Sequence, residues 1–309
     1  MVKRYRHYFK SEADGLRISV LSICPDLPPY RGIIQIVHGM SEYKERYEPF
    51  MEYMAERGYL TVIHDHRGHG QSVRTGDDLG YMYGGGAEAV LKDIATVNSG
   101  IRKKFPDLPL ILMGHSMGSL AVRAFAACHD DCMDMLIVCG SPSNRRAKAL
   151  GAAVARIEGG ILGARHRSRL IEFLSFGGYA MKFRGEKDRN AWICSDSEVC
   201  REYTKSDLCG FTFTDDGYLA LFQLMKRAYD LSHWKCTKPG LPVLFISGSE
   251  DPCMGNVRKF AASVQNMRKA GYQDVKGKLY RGMRHEILNE KGKEQVYHDI
   301  AVYIRKKGF

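Results

Sequence analysis

A chain of 309 residues with 44% hydrophobic side chains can bury a full core and suits one α/β sheet domain carrying an insertion. No apolar run follows the N-terminus and no stretch has the length of a membrane span, so a cytoplasmic, soluble protein is expected. Nine cysteines without a C-x-x-C pair predict neither a disulfide framework nor a zinc ribbon; the formal charge of +11 points to an anionic partner, but no nucleic-acid-binding signature accompanies it.

Residues 4 to 24 contain two alternating runs, the second being Leu16 to Ile23, and predict an antiparallel edge hairpin turning at Asp14-Gly15. After the Pro25 to Pro29 break, Gly32 to Val37 reads as the first central strand and runs into His38-Gly39-Met40. Residues 48 to 57 predict an amphipathic helix closed by Gly58. Tyr59 to His64 is the next strand, followed by Asp65-His66-Arg67-Gly68-His69-Gly70-Gln71-Ser72. Residues 87 to 104 place Val90, Leu91, Ile94, Val97 and Ile101 on one helical face. Met135 to Cys139 is a further buried strand. This alternation of strand and helix predicts a mostly parallel central sheet flanked by helices.

The rhythm stops between Gly140 and Leu241, where about 100 residues show helical but no strand character. The expected organisation is a core domain of residues 1–141 and 241–309 with a helical cap at 142–240. The alternation resumes with a strand at Pro242 to Gly248, a helix around 255 to 270, a strand at Val275 to Tyr280 and a helix at about 291 to 306.

The chemistry centres on Leu110 to Phe125. Leu110 to Met113 is a doubly covered strand, and Gly114-His115-Ser116-Met117-Gly118 follows at its end, with a helical pattern behind it. A G-x-S-x-G at a strand-to-helix junction is a nucleophile elbow. The serine takes a strained conformation, the glycines allow close chain passage, and the Met117 N–H faces a forming oxyanion. A serine hydroxyl needs a base and an orienting acid. Asp251 and His285 each lie just past a predicted strand, and the order Ser116, Asp251, His285 is that of this architecture. Glu250 is the rival acid. The Met40 N–H, in the loop after the first central strand, is the expected second oxyanion donor.

His64, Asp65, His66 and His69 form a dense cluster, but strand alternation puts Asp65 on the opposite face from His64 and His66. A supporting turn is expected there rather than a metal. Cys128 and Cys132, spaced i, i+4 on a helix, are expected as core thiols.

His38-Gly39-Met40 with Glu42 and Arg46-Tyr47, Asp65 to Ser72, Gly114 to Gly118, Ser247 to Asp251, and His285 together resemble the monoacylglycerol lipase and lysophospholipase group of α/β-hydrolases, classed by sequence with the S33 serine peptidases. The resemblance implies Ser116 as nucleophile, Asp251 as acid, His285 as base, Met40 and Met117 as oxyanion donors, and a lid in the insertion. Tyr43 stands where the group often has histidine, and Met40 is bulkier than the usual residue.

The expected activity is hydrolysis of carboxylic esters of lipid-like substrates, with no metal or organic cofactor. The alternatives are an amidase or peptidase of the same fold, or a ligand-binding homologue without catalysis. Gly39 and His115, beside the reacting groups, and Ile161, Leu162, Phe173 and Leu174, lining an apolar tunnel under the cap, are the expected substrate contacts. Between Pro142 and Leu170 seven basic residues (Arg145, Arg146, Lys148, Arg156, Arg165, Arg167 and Arg169) face the single acid Glu158. That stripe, interleaved with apolar residues, predicts peripheral contact with an anionic membrane surface.

Overall fold

Runs of β-branched and long apolar residues build the centre of the molecule. In the computed structural model, which describes residues 1–144 and 148–309, they form one eight-stranded sheet in the order β1-β2-β4-β3-β5-β6-β7-β8. The edge hairpin pairs β1 (Val2–Lys10) with β2 (Arg17–Pro25) antiparallel, from Val2 opposite Pro25 to Lys10 opposite Arg17. Its turn uses Gly15 at φ 71°, and the Asp14 carboxylate accepts from the Leu16 N–H. From β4 (Tyr59–His64) onward the pairing is parallel, through β3 (Gly32–Val37), β5 (Leu110–His115), β6 (Met135–Cys139), β7 (Val243–Gly248) and β8 (Val275–Tyr280).

Helices cover both faces, so the inner strands are buried throughout. On one face α1 (Glu48–Ala55) and α9 (Lys293–Lys306) meet Ile34, Ile36, Ile111 and Met113. On the other, α2 (Gly86–Lys104), α3 (Met117–His129) and α8 (Val257–Lys269) meet Ile33, Val37, Leu110 and Leu112. The period-two alternation of side chains along β3 and β5 feeds both cores.

Among the described residues four α-helices lie between β6 and β7: α4 (Lys148–Leu162), α5 (Arg169–Lys182), α6 (Ser197–Lys205) and α7 (Asp215–Tyr229). Within the expected cap, α7 is set apart by its packing. Tyr218, Ala220, Leu221, Leu224, Met225 and Ala228 join the core cluster that contains α2 and α3. The helical period gives α7 a face broad enough for the core below and α4 above. Among the described residues no helix is long and apolar enough to cross a membrane. Arg145 and Arg146 of the basic stripe lie outside the described residues.

Cys128 is exposed and Cys132 half-buried, against the expectation of core thiols. They fall at the end of α3 and in the single turn after it, where the buried face of the helix has run out.

Two glycines make the elbow possible. A methyl on Gly118 would lie 2.0 Å from the Val37 carbonyl oxygen, and one on Gly114 2.3 Å from the Gly118 carbonyl oxygen. Backbone cannot yield as a flexible side chain does. Gly118→Ala is therefore expected to cost at least about 2 kcal/mol in urea denaturation. The control Gly100→Ala, exposed in α2 with open space around it, is expected to stabilise by roughly 0.5–1 kcal/mol. A tolerated Gly118→Ala would contradict the close approach.

Candidate active site

Strand β5 ends at His115, α3 begins at Met117, and Ser116 makes the turn between them at φ 52° and ψ −117°. A non-glycine residue with positive φ is strained and persists only where its surroundings hold it. The Ser116 N–H donates to the Cys139 carbonyl at 3.0 Å, and its own carbonyl accepts from the Ser119 hydroxyl at 2.6 Å and the Ser119 N–H at 3.0 Å.

His285 and Asp251 come from the loops after β8 and β7. His285 Nδ1 lies 3.1 Å from Asp251 Oδ2, and both residues are buried. Asp251 also accepts from the Ser247 hydroxyl at 3.0 Å and the Cys253 N–H at 2.7 Å. Burial opposes ionisation of Asp251, but the charge and hydrogen bond of His285, with these two donors, outweigh it and hold the carboxyl below its ordinary range. Glu250, the rival acid, is exposed. Among the described residues Ser116 and His285 make no hydrogen bond to each other; both line the same cavity, and the Cys253 sulfur lies 3.8 Å from His285 Nε2. Such contacts are often long before a ligand arrives.

The loop after β3 faces this group. The Gly39 N–H is taken by Glu42 Oε1 at 2.6 Å, whereas among the described residues the Met40 and Met117 N–H groups are given no acceptor. A methyl on Gly39 would lie 3.1 Å from Ser116 Cβ. Gly39, Met40, His115, Ser116, Met117 and His285 all line one cavity of about 150 Å³.

Glu42 is the residue whose role sequence reading missed. Its Oε1 also accepts from the Tyr47 hydroxyl at 2.9 Å and lies 3.2 Å from His115 Nδ1, while Oε2 accepts from Arg46 at 2.9 Å. Arg46 then grips Glu286 with both arms, at 2.7 and 2.6 Å. His115 Nε2 closes the ring on the His285 carbonyl at 3.3 Å. Burial works against the Glu42 charge, but the His115 hydrogen bond and charge and the Arg46 charge overcome it, so Glu42 is held well below the usual carboxylate range. The partner shift agrees: burial alone lowers His115, yet Glu42 raises it above its ordinary value. The one available signal was the E-x-x-x-R spacing of Glu42 and Arg46; Glu286 is too distant in sequence to be joined to it.

Residues between α4 and α7 roof the cavity. The Trp192 ring lies 5.3 Å from the His285 ring, and the Ile193 carbonyl accepts from the Glu286 N–H at 2.8 Å. Ser41, at φ 53° in the β3 loop, donates its hydroxyl to the Phe211 carbonyl at 2.7 Å; its carbonyl accepts from the Tyr203 hydroxyl at 3.0 Å and the Gly210 N–H at 2.9 Å.

Ile161, Leu162, Phe173 and Leu174 are not where a tunnel would need them. They are 77, 59, 67 and 60% exposed and absent from the cavity walls. The cap wall is instead made by Phe176, Tyr179, Tyr218, Leu221, Phe222 and Met225. Both α4 and α5 carry apolar residues on more than one face, and hydrophobicity alone does not say which face turns inward.

Two buried histidines, His38 after β3 and His69 after β4, serve the backbone. His38 Nε2 accepts from the His66 N–H at 3.0 Å and His69 Nε2 from the Ser41 N–H at 3.2 Å. Asp65 turns the other way, to Lys44 Nζ at 2.6 Å, with both side chains fully buried.

A mostly parallel sheet with an elbow serine, an Asp–His pair at the ends of two later strands and a roof of inserted helices is the α/β-hydrolase arrangement. A monoacylglycerol lipase of Mycolicibacterium smegmatis is 26% identical over 313 residues, covering 97% of each chain. A thermostable carboxyl esterase of Bacillus coagulans, solved with glycerol, superposes with a TM-score of 0.87 at 24% identity over 98% of both chains. A monoglyceride lipase of Saccharomyces cerevisiae, solved with a substrate analogue, gives 0.74 at 20% identity over 97% of this chain and 94% of that one. The protein has the α/β-hydrolase fold. The chain belongs to the family described as serine aminopeptidase, S33, which it matches over residues 28–292.

The Glu42–His115 contact sets a sign that can be measured. A histidine whose folded value is raised adds stability below its unfolded value, near about 6.5, and loses it as pH rises through the folded value. In Glu42→Gln burial is left to act with far less opposition, so the His115 midpoint, read from its ring proton shifts by NMR, is expected to fall below about 6.5. An unchanged midpoint would remove Glu42 as the cause.

Proposed function

We propose that the chain hydrolyses carboxylic esters of monoacylglycerol or lysophospholipid type, with Ser116 as nucleophile, His285 as base and Asp251 as the acid that orients it. His285 Nε2 takes the Ser116 proton as Oγ bonds to the ester carbonyl carbon. The negative oxygen so formed is held by the Met40 and Met117 N–H groups. Collapse of this adduct breaks the bond to the alcohol oxygen, which takes the proton back from His285. Water then repeats the cycle on the acyl-serine and releases the acid. The burial of Asp251, paired with His285, keeps its negative charge close to the imidazolium while that charge exists. No metal or organic cofactor enters these steps.

The observation that carries the reading is a single cavity joining the Ser116 elbow and His285 to walls of two kinds. The wall from α7, with Phe176, is apolar and suits an acyl chain; Ser41, Asn190, Tyr203 and Glu286 are polar and suit a hydroxylated or phosphorylated alcohol. At about 150 Å³ the space resembles cavities that take a benzene-sized guest, so a long acyl chain extends beyond it.

The test is a hydrolysis profile over p-nitrophenyl esters of graded length, monoacylglycerols, lysophospholipids and the matching amides. Long-chain monoesters should lead it; a profile led by amides overturns the ester reading. Ser116→Ala is expected to fold and lose at least about 10³-fold in kcat, and Asp251→Asn to lose far more than Glu250→Gln. Retained turnover in Ser116→Ala refutes the nucleophile.

The displaced apolar residues support docking of the roof on a lipid surface. Leu150, Ile157, Ile161, Leu162, Leu170, Phe173, Leu174 and Met181 are all more than half exposed, and all lie on α4 and α5 or at their ends. Exposed Arg156 and Arg169 share these helices. That combination suits insertion into a head-group boundary, at about 1 kcal/mol per arginine near an anionic surface. Co-sedimentation with anionic vesicles is expected to fall at least about tenfold in Arg156→Glu/Arg169→Glu and to weaken with salt. Equal binding by parent and double variant would leave the arginines without this role.

A further inference from the structure

Away from the elbow, three ligand-bearing side chains from separate segments converge under α4. Glu158 lies on α4, His166 in the turn between α4 and α5, and Asp215 opens α7. One donor atom from each lies within 4.8 Å of the others. We propose that Glu158, His166 and Asp215 form a site for a single divalent transition-metal ion of the zinc class, which ties α4 to α7.

The first argument is an incomplete set of hydrogen bonds. Asp215 is fully buried, and its Oδ2 meets His166 Nδ1 at 2.9 Å. Among the described residues its Oδ1 has no hydrogen-bond partner, and neither has the buried Oε2 of Glu158. Buried carboxylate oxygens without partners are costly and rare, and an ion is one of the things that satisfies them. The nearby cations are engaged elsewhere: Arg165 pairs with Asp78, and Arg167 donates to the carbonyls of Thr212 and Leu79. Burial raises the Asp215 carboxyl and the like charge of Glu158 adds to it, while His166 and the Ser168 N–H oppose the rise.

Donor chemistry chooses the ion. One imidazole nitrogen and two carboxylates carry two negative charges, which a divalent cation neutralises. Calcium and magnesium favour all-oxygen sets, and no thiolate is present for copper(I). Three protein ligands with a fourth position open to solvent is a common zinc arrangement; the His166 side chain, 32% exposed, marks the route in. Ligands on one zinc ion sit about 3–4 Å apart given bonds of about 2.0–2.2 Å. Closing the set takes side-chain shifts of about an ångström, which the long Glu158 side chain beside Gly159-Gly160 can make. The ion would fix α4, with its exposed apolar residues, to the helix whose Tyr218 and Leu221 line the cavity. The site does not depend on which ester the enzyme takes.

Asp251, Cys253 and His285 also bring donor atoms within 4.8 Å of one another, so the experiment must separate the two groups. Chelator-treated full-length protein is equilibrated with zinc chloride, desalted, and its metal counted by mass spectrometry, with thermal midpoints recorded. The parent and Cys253→Ser are expected to hold one zinc per chain and gain midpoint on loading. Glu158→Gln and His166→Gln should fold, as shown by unchanged midpoints without metal, and bind at least tenfold more weakly. Absence of stoichiometric zinc in the parent overturns the proposal. So does zinc retained by Glu158→Gln and His166→Gln but lost in Cys253→Ser.

Discussion

A single buried carboxylate fixes the geometry on which the site depends. Glu42 receives donors from its own loop, from Tyr47 just before α1 and from the elbow, and Arg46 carries its influence to Glu286, next to His285. Buried charges gain little over apolar packing when complete but cost about 3–5 kcal/mol when one partner is lost. The network is therefore better understood as a positioning frame than as a source of stability. It takes up the Gly39 N–H and holds the elbow histidine against the backbone of the base loop.

Strained backbone beside that frame is held by other bonds. Ser41 and Ser116 both sit at positive φ, each costing about 1–3 kcal/mol, and each is fastened by several hydrogen bonds. At Ser41 the fastenings come from the roof, through Phe211, Gly210 and Tyr203. Movement of the roof and the shape of the loop carrying Met40 are thus mechanically linked. A roof that shifts pulls on the backbone next to the proposed oxyanion donors.

Much of the sheet was legible before any coordinates. Strands β3, β4 and β6 match their predicted limits because doubly covered strands are written as largely apolar runs, and the elbow was legible because its glycines and serine are contiguous. Ser116, Asp251 and His285 were singled out by position at strand ends; Ser116 and His285 line one cavity, and Asp251 meets the Nδ1 of His285. The Glu42–Arg46–Glu286 frame was not legible, since it joins residues 240 positions apart whose types are ordinary on any surface. The cap misled for the opposite reason: α4 and α5 are apolar on more than one face, so Ile161, Leu162, Phe173 and Leu174 read as tunnel walls while Phe176 and Tyr179 hold that place. Similarly α7, which follows α4 to α6 in sequence, shares its buried face with α2 and α3.

The two outer strands of the sheet share a property with a separate consequence. β1 carries Lys3, Arg4, Arg6 and Lys10 and is exposed along nearly its whole length, and β8 exposes Lys276 and Lys278. A nine-residue edge is long enough to template another strand, and charged side chains along it oppose that pairing. Lys3, Arg4, Arg6 and Lys278 are ion-paired within the chain, to Asp26, Glu48 and Asp299, so charged side chains rather than net charge guard the rims of the sheet against edge-to-edge pairing.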